Sequence, residues 1–489
     1  MNFQADDGVR GLGRKQNQMS LLPELLILLL ALLILGLDLI LPEKWRGGMG
    51  WLTVLGTAGI LIFALLGSGA SGNAAPATVC ADSLAFFFRA LILLGVMVTA
   101  LISIDSEGVG RRGEYYALML FSALGMCLMA SASDLVMLAL AVEMATVPLY
   151  ILAGSLKRDS RSTEAGLKYF LFGATASAVM WYGFSLVYGF TGQTDLSAAA
   201  VALGSANPPT VMTAALPVLA GLAFKVAAVP FHFWAPDVYE GAPTPIAAFL
   251  STAVKAAGFA VLLRILLTVF PPASASYWGA LVSVMAAVSM TLGNLLAMVQ
   301  KNVKRLLAYS SIAHAGYALI GLVTLNPDGL AATAFYLLAY TLANLAAFSV
   351  VVLVANAAGS DDITALAGLS RRSPAAALAL LIALLSLAGM PPFAGFAAKW
   401  FLFTSAVEAR LAWLAAVGAI NSVLALYYYL GILKVVYLFR AEREQAAFPF
   451  PAAIKIALGA TVAAILIMGV AASPWFEAAL EAVRPLFPG

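Results

Sequence analysis

Charged residues are scarce in this sequence. Asp, Glu, Lys and Arg together make up 10% of its 489 residues, whereas hydrophobic residues make up 62%. Soluble domains carry about one quarter charged residues, so a water-soluble fold cannot cover this much apolar surface. The basic residues are not gathered into a tail of the kind that binds nucleic acid, and no nucleic acid partner is expected.

Cysteine and histidine are also rare, with two residues of each. Cys80 and Cys127 are too few for a cysteine-ligated iron–sulfur cluster, and neither lies in a metal-ligand spacing. We therefore expect no cofactor or metal in this chain. Any redox chemistry connected with it must belong to a partner protein.

Apolar runs of about twenty residues recur along the whole chain, and each can cross a hydrocarbon core of about 30 Å as a helix. They predict an all-α polytopic membrane protein embedded in a lipid bilayer, with about 14 transmembrane helices. The polar segment 1–20 has no small-residue cleavage pattern, so the first span is expected to be retained. The predicted spans are 20–41, 49–67, 82–104, 114–132, 134–155, 166–190, 211–229, 243–270, 277–299, 305–325, 330–356, 374–404, 410–439 and 451–473.

Basic residues in the connections between these spans indicate the orientation. Connections after even-numbered spans contain only Arg410. Connections after odd-numbered spans contain Lys44, Arg46, Arg111, Arg112, Lys157, Arg158, Arg161, Lys301, Lys304, Arg305, Arg371, Arg372, Arg440, Arg443 and Lys455. Because cytoplasmic loops retain Lys and Arg, we expect the odd-to-even connections in the cytoplasm and both termini on the opposite face.

Two spans contain helix-breaking residues. In span 7, Pro230 and the polar-aromatic run 231–237 follow Lys225, and in span 12 Gly389, Met390, Pro391 and Pro392 interrupt the apolar run. The two interruptions are five helices apart. Helices 4–8 and 9–13 would then enter the membrane from opposite sides and form an inverted repeat, with a transport site where the repeats meet.

This pattern divides the chain into four expected parts. They are an N-terminal part with helices 1–3 (1–112), a first repeat with helices 4–8 (113–272), a second repeat with helices 9–13 (273–440) and a C-terminal part with helix 14 (441–489).

Four ionisable residues fall inside the predicted spans. Glu143 lies near the middle of span 5, Lys225 in span 7, Lys255 in span 8 and Lys399 in span 12. A charge at the bilayer centre costs roughly 2.5–3.5 kcal/mol, so these four are candidate functional residues that face one another or water. The alternative is four unrelated side chains that snorkel or pair.

Lysine is suited to proton transfer, because burial disfavours its protonated form whereas a nearby carboxylate favours it. Glu143 and Lys225 form the natural switching pair: when the carboxylate is close, Lys225 holds its proton. When the pair opens, the proton can pass through water to Lys255 and on to Lys399.

Other polar residues in or beside the spans leave alternatives open. His232 and His314 can relay protons, or they can support a helix break or packing through hydrogen bonds. Snorkelling explains Lys168 and Lys434 better than a buried role does. Arg89 and Arg264 are expected to be structural.

Three segments resemble a known protein family: FKVAAVPFHFWAPDVYEGAPTP at 224–245, NVKRLLAYSSI at 302–312 and SLAGMPPFAGF at 386–396. They are similar to the antiporter-like membrane subunits of respiratory complex I. The resemblance covers most of the chain from span 4 onward. This chain is too short for the lateral helix of the largest such subunit, and it carries Lys399 where the middle one usually has Glu.

The resemblance implies a proton-translocating subunit of the membrane arm of NADH:quinone oxidoreductase, in a bacterial cell membrane. It makes Glu143 and Lys225 an ion pair, Lys255 the central relay and Lys399 the exit-side lysine. Neighbouring membrane-arm subunits would lie on both flanks, and NADH, FMN, iron–sulfur clusters and quinone would bind to other subunits.

Alternatives of other classes stay open. Within the same fold they are a subunit of a multisubunit sodium/proton antiporter or of a membrane-bound hydrogenase. Outside it they are a secondary transporter with a solute pocket, or a scaffold subunit with inert charges.

Overall fold

The computed structural model describes residues 21–66, 78–440 and 450–487, nearly all of which are helical. The segment 1–20 and the cytoplasmic Arg443 expected above lie outside the described residues. The α-helices are α1 Leu22–Ile40, α2 Met49–Leu66, α3 Ser83–Ser103, α4 Gly113–Ser131, α5 Leu135–Ala153, α6 Ser160–Thr191, α7 Leu196–Leu203, α8 Pro208–Val226, α9 Trp234–Gly241, α10 Thr244–Ser251, α11 Ala253–Thr268, α12 Pro272–Ala297, α13 Val303–Val323, α14 Pro327–Ala358, α15 Leu369–Arg372, α16 Pro374–Ala388, α17 Ala394–Glu408, α18 Ala412–Leu438, α19 Ala452–Val470 and α20 Ser473–Val483. Short 3-10 helices cover Glu43–Gly48, Ile363–Leu366 and Arg484–Leu486.

The predicted spans are present as helices. Among the described residues, 13 helical stretches are long and apolar enough to cross a membrane. Span 12 supplies one further crossing, because its break leaves two helices, α16 and α17, of 15 residues each. The prediction of a polytopic all-α membrane fold is therefore confirmed.

Helix breaks occur where the sequence predicts them, in spans 7 and 12. Helix α8 ends before Ala227, which has a left-handed backbone (φ 56°), and α9 begins at Trp234. Helix α16 ends before Gly389, also left-handed (φ 86°), and α17 begins at Ala394. In both spans the first helix ends at a residue with a left-handed backbone, and a proline follows within three residues.

Span 8 is broken as well, which the sequence analysis did not predict. Predicted as one helix over 243–270, it is divided into α10 and α11 at Thr252 (φ −117°, ψ −87°). The hydroxyl groups of Ser251 and Thr252 both donate to the carbonyl oxygen of Ala248, at 2.8 and 2.7 Å. Serine and threonine hydroxyls that bond the preceding turn compete with the backbone ladder and bend helices.

The connections gather at two ends of the bundle, as the helix count requires. At one end, a cavity of about 980 Å³ is lined by residues from five odd-to-even connections. They include Glu107, Asp159, Pro243, Lys301 and Asp361. Two isolated bridges, Val79 with Ala132 and Asp134 with Asp195, join even-to-odd connections instead.

The most buried helices form the centre of the bundle. Helices α10, α11, α13 and α14 are buried over almost their whole length, whereas α1, α2, α6, α12, α18 and α19 keep apolar faces exposed. Apolar faces of this size suit contact with lipid or with neighbouring subunits. The buried centre therefore contains the helices that carry Lys255 and His314.

A final helix, α20, was not predicted. It follows the last span and packs against α3 and α14. The ring of Phe476 stacks on Phe401 at 4.1 Å between centroids, and Ser83 Oγ donates to the carbonyl oxygen of Glu481 at 2.8 Å. This helix attaches the C-terminal part to the N-terminal helices.

Glycine permits the close packing of α12 against α13. A Cβ atom at Gly293 would lie 2.6 Å from the backbone nitrogen of Ala313, whereas one at Gly279 in the same helix would meet nothing within 4 Å.

We expect Gly293→Ala to destabilise the protein by about 1–3 kcal/mol, as overpacking does, and Gly279→Ala to have little effect. Thermal unfolding of the two variants in detergent checks this, and equal melting temperatures would contradict it.

Candidate functional site

Lys225 lies in the last turn of α8, directly before the break in span 7. Its side chain is buried, and its Nζ has no hydrogen-bond partner among the described residues. At the break, the carbonyl of Phe224 accepts from the backbone nitrogen of Ala227 at 3.0 Å and from Trp234 Nε1 at 3.1 Å. Carbonyls at a helix C-terminus favour a nearby cation, so the end of α8 provides an environment in which Lys225 can carry charge.

Glu143, on α5, is the ionisable group that acts electrostatically on Lys225. The two groups are not in contact: Glu143 Oε1 is buried and, like Lys225 Nζ, has no hydrogen-bond partner in the described chain. The ion pair implied by the resemblance is thus open in this conformation. Glu143 is half-buried and Lys225 is buried.

Lys255 lies in the first turn of α11, just after the break at Thr252. Its side chain is 1% exposed. Its Nζ donates to the carbonyl oxygen of Ser311 at 2.6 Å and to Ser311 Oγ at 2.5 Å. Lys255 is therefore tied to the middle of α13.

Lys399 lies on α17, after the break in span 12. Its Nζ donates to the carbonyl oxygens of Leu387 and Ala388, at 3.2 and 2.9 Å, and lies 4.6 Å from the centroid of the Tyr317 ring. The two carbonyls belong to the end of α16 and have lost their helical partners. The break itself thus supplies the acceptors for this buried ammonium group.

His314, on α13, is bonded through both ring nitrogens. Nδ1 lies 2.6 Å from the hydroxyl of Tyr336, and Nε2 lies 3.2 Å from that of Tyr429. The Tyr429 hydroxyl also pairs with Ser310 Oγ at 2.5 Å. A neutral imidazole has one donor and one acceptor, so these bonds can exchange direction when a proton moves.

His314 and Lys399 face the same small cavity. It has a volume of about 10 Å³ and is also lined by Tyr336, Tyr340 and Ser386. A polar cavity of this size can hold about one water molecule. The structure therefore brings His314 and Lys399 together at one polar cavity, whereas Lys255 is bonded to Ser311, on the same helix as His314.

His232 lies apart from this region, in the break of span 7. It is buried, its Nδ1 has no hydrogen-bond partner within the described ranges, and its ring packs against Phe233 at 4.4 Å between centroids. His232 therefore lies in the same broken span as Lys225, not in the spans that carry Lys255 and Lys399.

Lys168, whose side chain is partly exposed, takes part in an ionic cluster. Its Nζ lies 2.7 Å from carboxylate oxygens of both Glu164 and Asp237. Arg305 Nη1 bonds Asp237 at 2.7 Å and Glu240 at 2.9 Å. The cluster joins α6, α9 and α13 and so fixes α9, the helix that follows the break next to Lys225.

Lys434 lies near the end of α18, 5.8 Å from the Phe439 ring, as expected for a terminal lysine.

The two arginines expected to be structural form buried ion pairs. Arg264 binds both carboxylate oxygens of Asp82 at 2.9 Å and donates to the carbonyl of Ala130. Arg89 Nη2 lies 2.6 Å from Glu24. The first pair connects α11 to the start of α3, and the second connects α3 to α1.

Neither cysteine forms a disulfide. Burial and the neighbouring Asp82 raise the pKa of Cys80 to about 11, so its thiol stays protonated and poorly reactive at neutral pH. Within the described residues, no group of three or more His, Cys, Asp or Glu is placed to hold a metal ion.

Sequence reasoning missed the hydroxyl groups of this site. Tyr336, Tyr340, Tyr429 and Ser311 contact the predicted residues, but tyrosine and serine are common in this sequence. The sequence offered one signal near them, the spacing in 310–317, which puts Ser310, His314 and Tyr317 on one face of a helix.

The class of protein is defined by a family match. The family described as NADH:quinone oxidoreductase/Mrp antiporter, TM, matches residues 132–425, which is more than half of the chain. The chain therefore belongs to this family of antiporter-like membrane proteins.

Within that family, the curated relatives are subunit N proteins. The chain is 40% identical over 98% of its length to NADH-quinone oxidoreductase subunit N of Trichlorobacter lovleyi, covering 99% of that protein. It is 42% identical to subunit N of Dehalococcoides mccartyi, over 92% of this chain and 96% of the relative. The resemblance to the antiporter-like membrane subunits of complex I, which the sequence motifs indicate, is therefore confirmed. Both relatives named here are subunit N proteins.

Solved structures agree with this placement. A chain of respiratory complex I from Thermus thermophilus with bound aureothin has a TM-score of 0.80 and 37% identity, covering 93% of this chain and 98% of that one. A chain of the archaeal membrane-bound sulfane sulfur reductase has a TM-score of 0.86 and 26% identity, covering 95% and 97%. A chain of the Mrp complex of Dietzia sp. DQ12-45-1b, 22% identical with a TM-score of 0.82 over 96% and 98%, shares the fold.

The buried pair of Arg264 and Asp82 yields a test of a structural role. Arg264→Leu leaves a buried carboxylate unpaired, and we expect a loss of about 3–5 kcal/mol in the free energy of unfolding. The double variant Arg264→Leu/Asp82→Asn should recover part of that loss, because no unpaired charge remains. Thermal unfolding measures both; a stable Arg264→Leu variant that fails to move protons would instead place this arginine in the transfer path.

Proposed function

We propose that this chain is a proton-translocating membrane-arm subunit of an NADH:quinone oxidoreductase, in which electron transfer elsewhere drives proton movement through this subunit. The observation that carries the proposal is the placement of three buried lysines next to breaks in three membrane spans. Lys225, Lys255 and Lys399 are each at most 4% exposed. Such groups inside a membrane bundle mark ion or proton pathways.

In the first half of the pathway, Glu143 controls the proton on Lys225. With the carboxylate close, the ammonium form of Lys225 is stabilised; with the pair apart, as here, burial favours release of the proton. His232, buried in the same break, is a candidate relay beside Lys225. The ionic cluster around Asp237 holds α9 while the break between α8 and α9 adjusts.

In the second half, protons pass between Lys255 and Lys399. Lys255 is bonded to Ser311, while Lys399 faces the cavity that it shares with His314. His314 can accept a proton on one ring nitrogen and release one from the other. A lysine that loses its proton to this region becomes neutral, which changes its interaction with the charges of the neighbouring half.

The rest of the complex supplies the redox chemistry in this proposal. NADH, FMN, iron–sulfur clusters and quinone bind to partner subunits, and membrane-arm subunits flank this chain on both sides. The exposed apolar faces of α1, α2, α6, α12, α18 and α19 offer surface for lipid and for such neighbours.

Orientation and domain organisation complete the proposal. The end of the bundle formed by the odd-to-even connections, which carries most of the basic loop residues, faces the cytoplasm of a bacterial cell, and both termini lie on the other face. The two repeats, 113–272 and 273–440, each contribute one half of the pathway. The matched breaks at Ala227 and Gly389 support this division.

A second candidate is favoured by one observation. The TM-score with the sulfane sulfur reductase chain, 0.86, exceeds that with the complex I chain, 0.80. The same pathway would then serve a complex related to the membrane-bound hydrogenases, or a multisubunit sodium/proton antiporter, without oxidising NADH.

Purification of this chain from its native membrane in mild detergent distinguishes these candidates. We expect flavin-containing and iron–sulfur subunits to co-purify with inhibitor-sensitive NADH:quinone activity. Co-purification of small membrane subunits alone, without redox cofactors, would contradict the main proposal and favour the antiporter.

Substitution of the lysines tests proton translocation itself. In the complex reconstituted into vesicles, Lys225→Ala and Lys399→Ala should each lower the number of protons moved per electron, because each removes a protonatable group from the pathway. The exposed Lys455 supplies the control, and Lys455→Ala should leave the ratio at its wild-type value. An unchanged ratio in the Lys225 variant would overturn the assigned role.

A further inference from the structure

A group of buried hydroxyls includes Ser311, which binds Lys255, and Tyr340, which lines the cavity of Lys399. On the Lys255 side, Ser311 Oγ accepts from Lys255 Nζ and lies 3.4 Å from the hydroxyl of Tyr239. The Tyr340 hydroxyl also interacts with the hydroxyls of Ser311 and Ser251. The Tyr340 hydroxyl therefore lies near the serine that holds the central lysine.

Asn344 orients this hydroxyl. Its Nδ2 donates to the Tyr340 hydroxyl at 3.1 Å and to Ser251 Oγ at 2.6 Å. Ser251 in turn gives its own hydrogen to the carbonyl of Ala248. A phenolic hydroxyl has one hydrogen and two lone pairs, so Tyr340 can accept from Asn344 and Ser311 and still turn its hydrogen elsewhere.

On its other side, Tyr340 faces the lysine of the second repeat. It lines the cavity that also contains Lys399, His314 and Tyr336. Its ring packs on the His314 ring at 4.8 Å between centroids. Tyr340 thus lies near the serine bonded to Lys255 and also lines the Lys399 cavity.

We propose that the Tyr340 hydroxyl relays protons between Lys255 and Lys399, a step that rests on the proposed function and adds a residue to it. Lys255 gives a proton to Ser311 Oγ as Ser311 releases its own to the Tyr340 oxygen. Tyr340 releases its hydrogen to a water in the cavity, and that water protonates the Lys399 amine. Lys255 ends as a neutral amine and Lys399 as an ammonium, while Ser311, Tyr340 and the water are each restored.

The tyrosines bonded to His314 form a separate branch. Tyr336 and Tyr429 bond the two ring nitrogens, and this branch continues to Ser310 rather than to Ser311. Lys255 has no bond to Ser310. The hydrogen bonds of this branch thus do not reach Lys255, whereas Ser311 lies near Tyr340.

Tyr340→Phe is the direct test, because it removes the hydroxyl and keeps the ring that packs on His314. Proton-to-electron ratios are measured in the reconstituted complex for wild type, Tyr340→Phe, Lys399→Ala and a control, Tyr115→Phe. Tyr115 is a buried tyrosine on α4 whose hydroxyl pairs with Ser103 Oγ at 2.9 Å, far along the chain from this cluster. We expect Tyr340→Phe to lower the ratio as much as Lys399→Ala does, and Tyr115→Phe to leave it unchanged.

Ser311→Ala provides a second variant should Tyr340→Phe fail to assemble. It removes the Oγ relay but keeps the backbone carbonyl that binds Lys255, and the same loss is expected. A wild-type ratio in Tyr340→Phe or Ser311→Ala, together with a lowered ratio in Lys399→Ala, overturns the relay and leaves the proposed function intact. A wild-type ratio in Lys399→Ala overturns the proposed function itself.

Discussion

A lysine ammonium group inside an apolar helical bundle must find its acceptors within the protein, because no bulk water is there to solvate it. Most carbonyls of an intact helix are already bonded within it, although that of Ser311 in α13 also accepts from Lys255. Lys399 donates to the carbonyls of Leu387 and Ala388, which have no partner within α16 because that helix ends there. The helix breaks are therefore the feature on which the rest of the site depends.

The same constraint applies to all three buried lysines. Lys225 lies at the end of α8 with no bonded acceptor, Lys255 follows the break at Thr252 and is held by Ser311, and Lys399 is held by freed carbonyls. The three lysines thus differ in the hydrogen-bond acceptors that stabilise their ammonium groups. A proton moving among them changes the charge balance of each half, which is the property that a charge-driven pump requires.

Sequence reasoning found the features that break a strong pattern. Lys225, Lys255 and Lys399 are conspicuous because each interrupts an apolar run, and Pro230 and Pro391 mark breaks because proline cannot continue a helix. The break at Thr252 escaped prediction, since serine and threonine are tolerated in most membrane helices and bend them only when their hydroxyls bond backwards. Tyr340 escaped because a tyrosine in a buried helix is ordinary in sequence and informative only through its neighbours. The pairing of Lys168 with Asp237 escaped prediction because the two residues are far apart in the chain.

The most direct test of this account concerns Lys255, the lysine between the two halves. Lys255→Met preserves the length of the side chain and removes its proton, and the assembled complex carrying it can be reconstituted into vesicles. The account predicts fewer protons moved per electron while the complex remains assembled. A wild-type ratio in this variant would show that protons do not pass through the buried lysines.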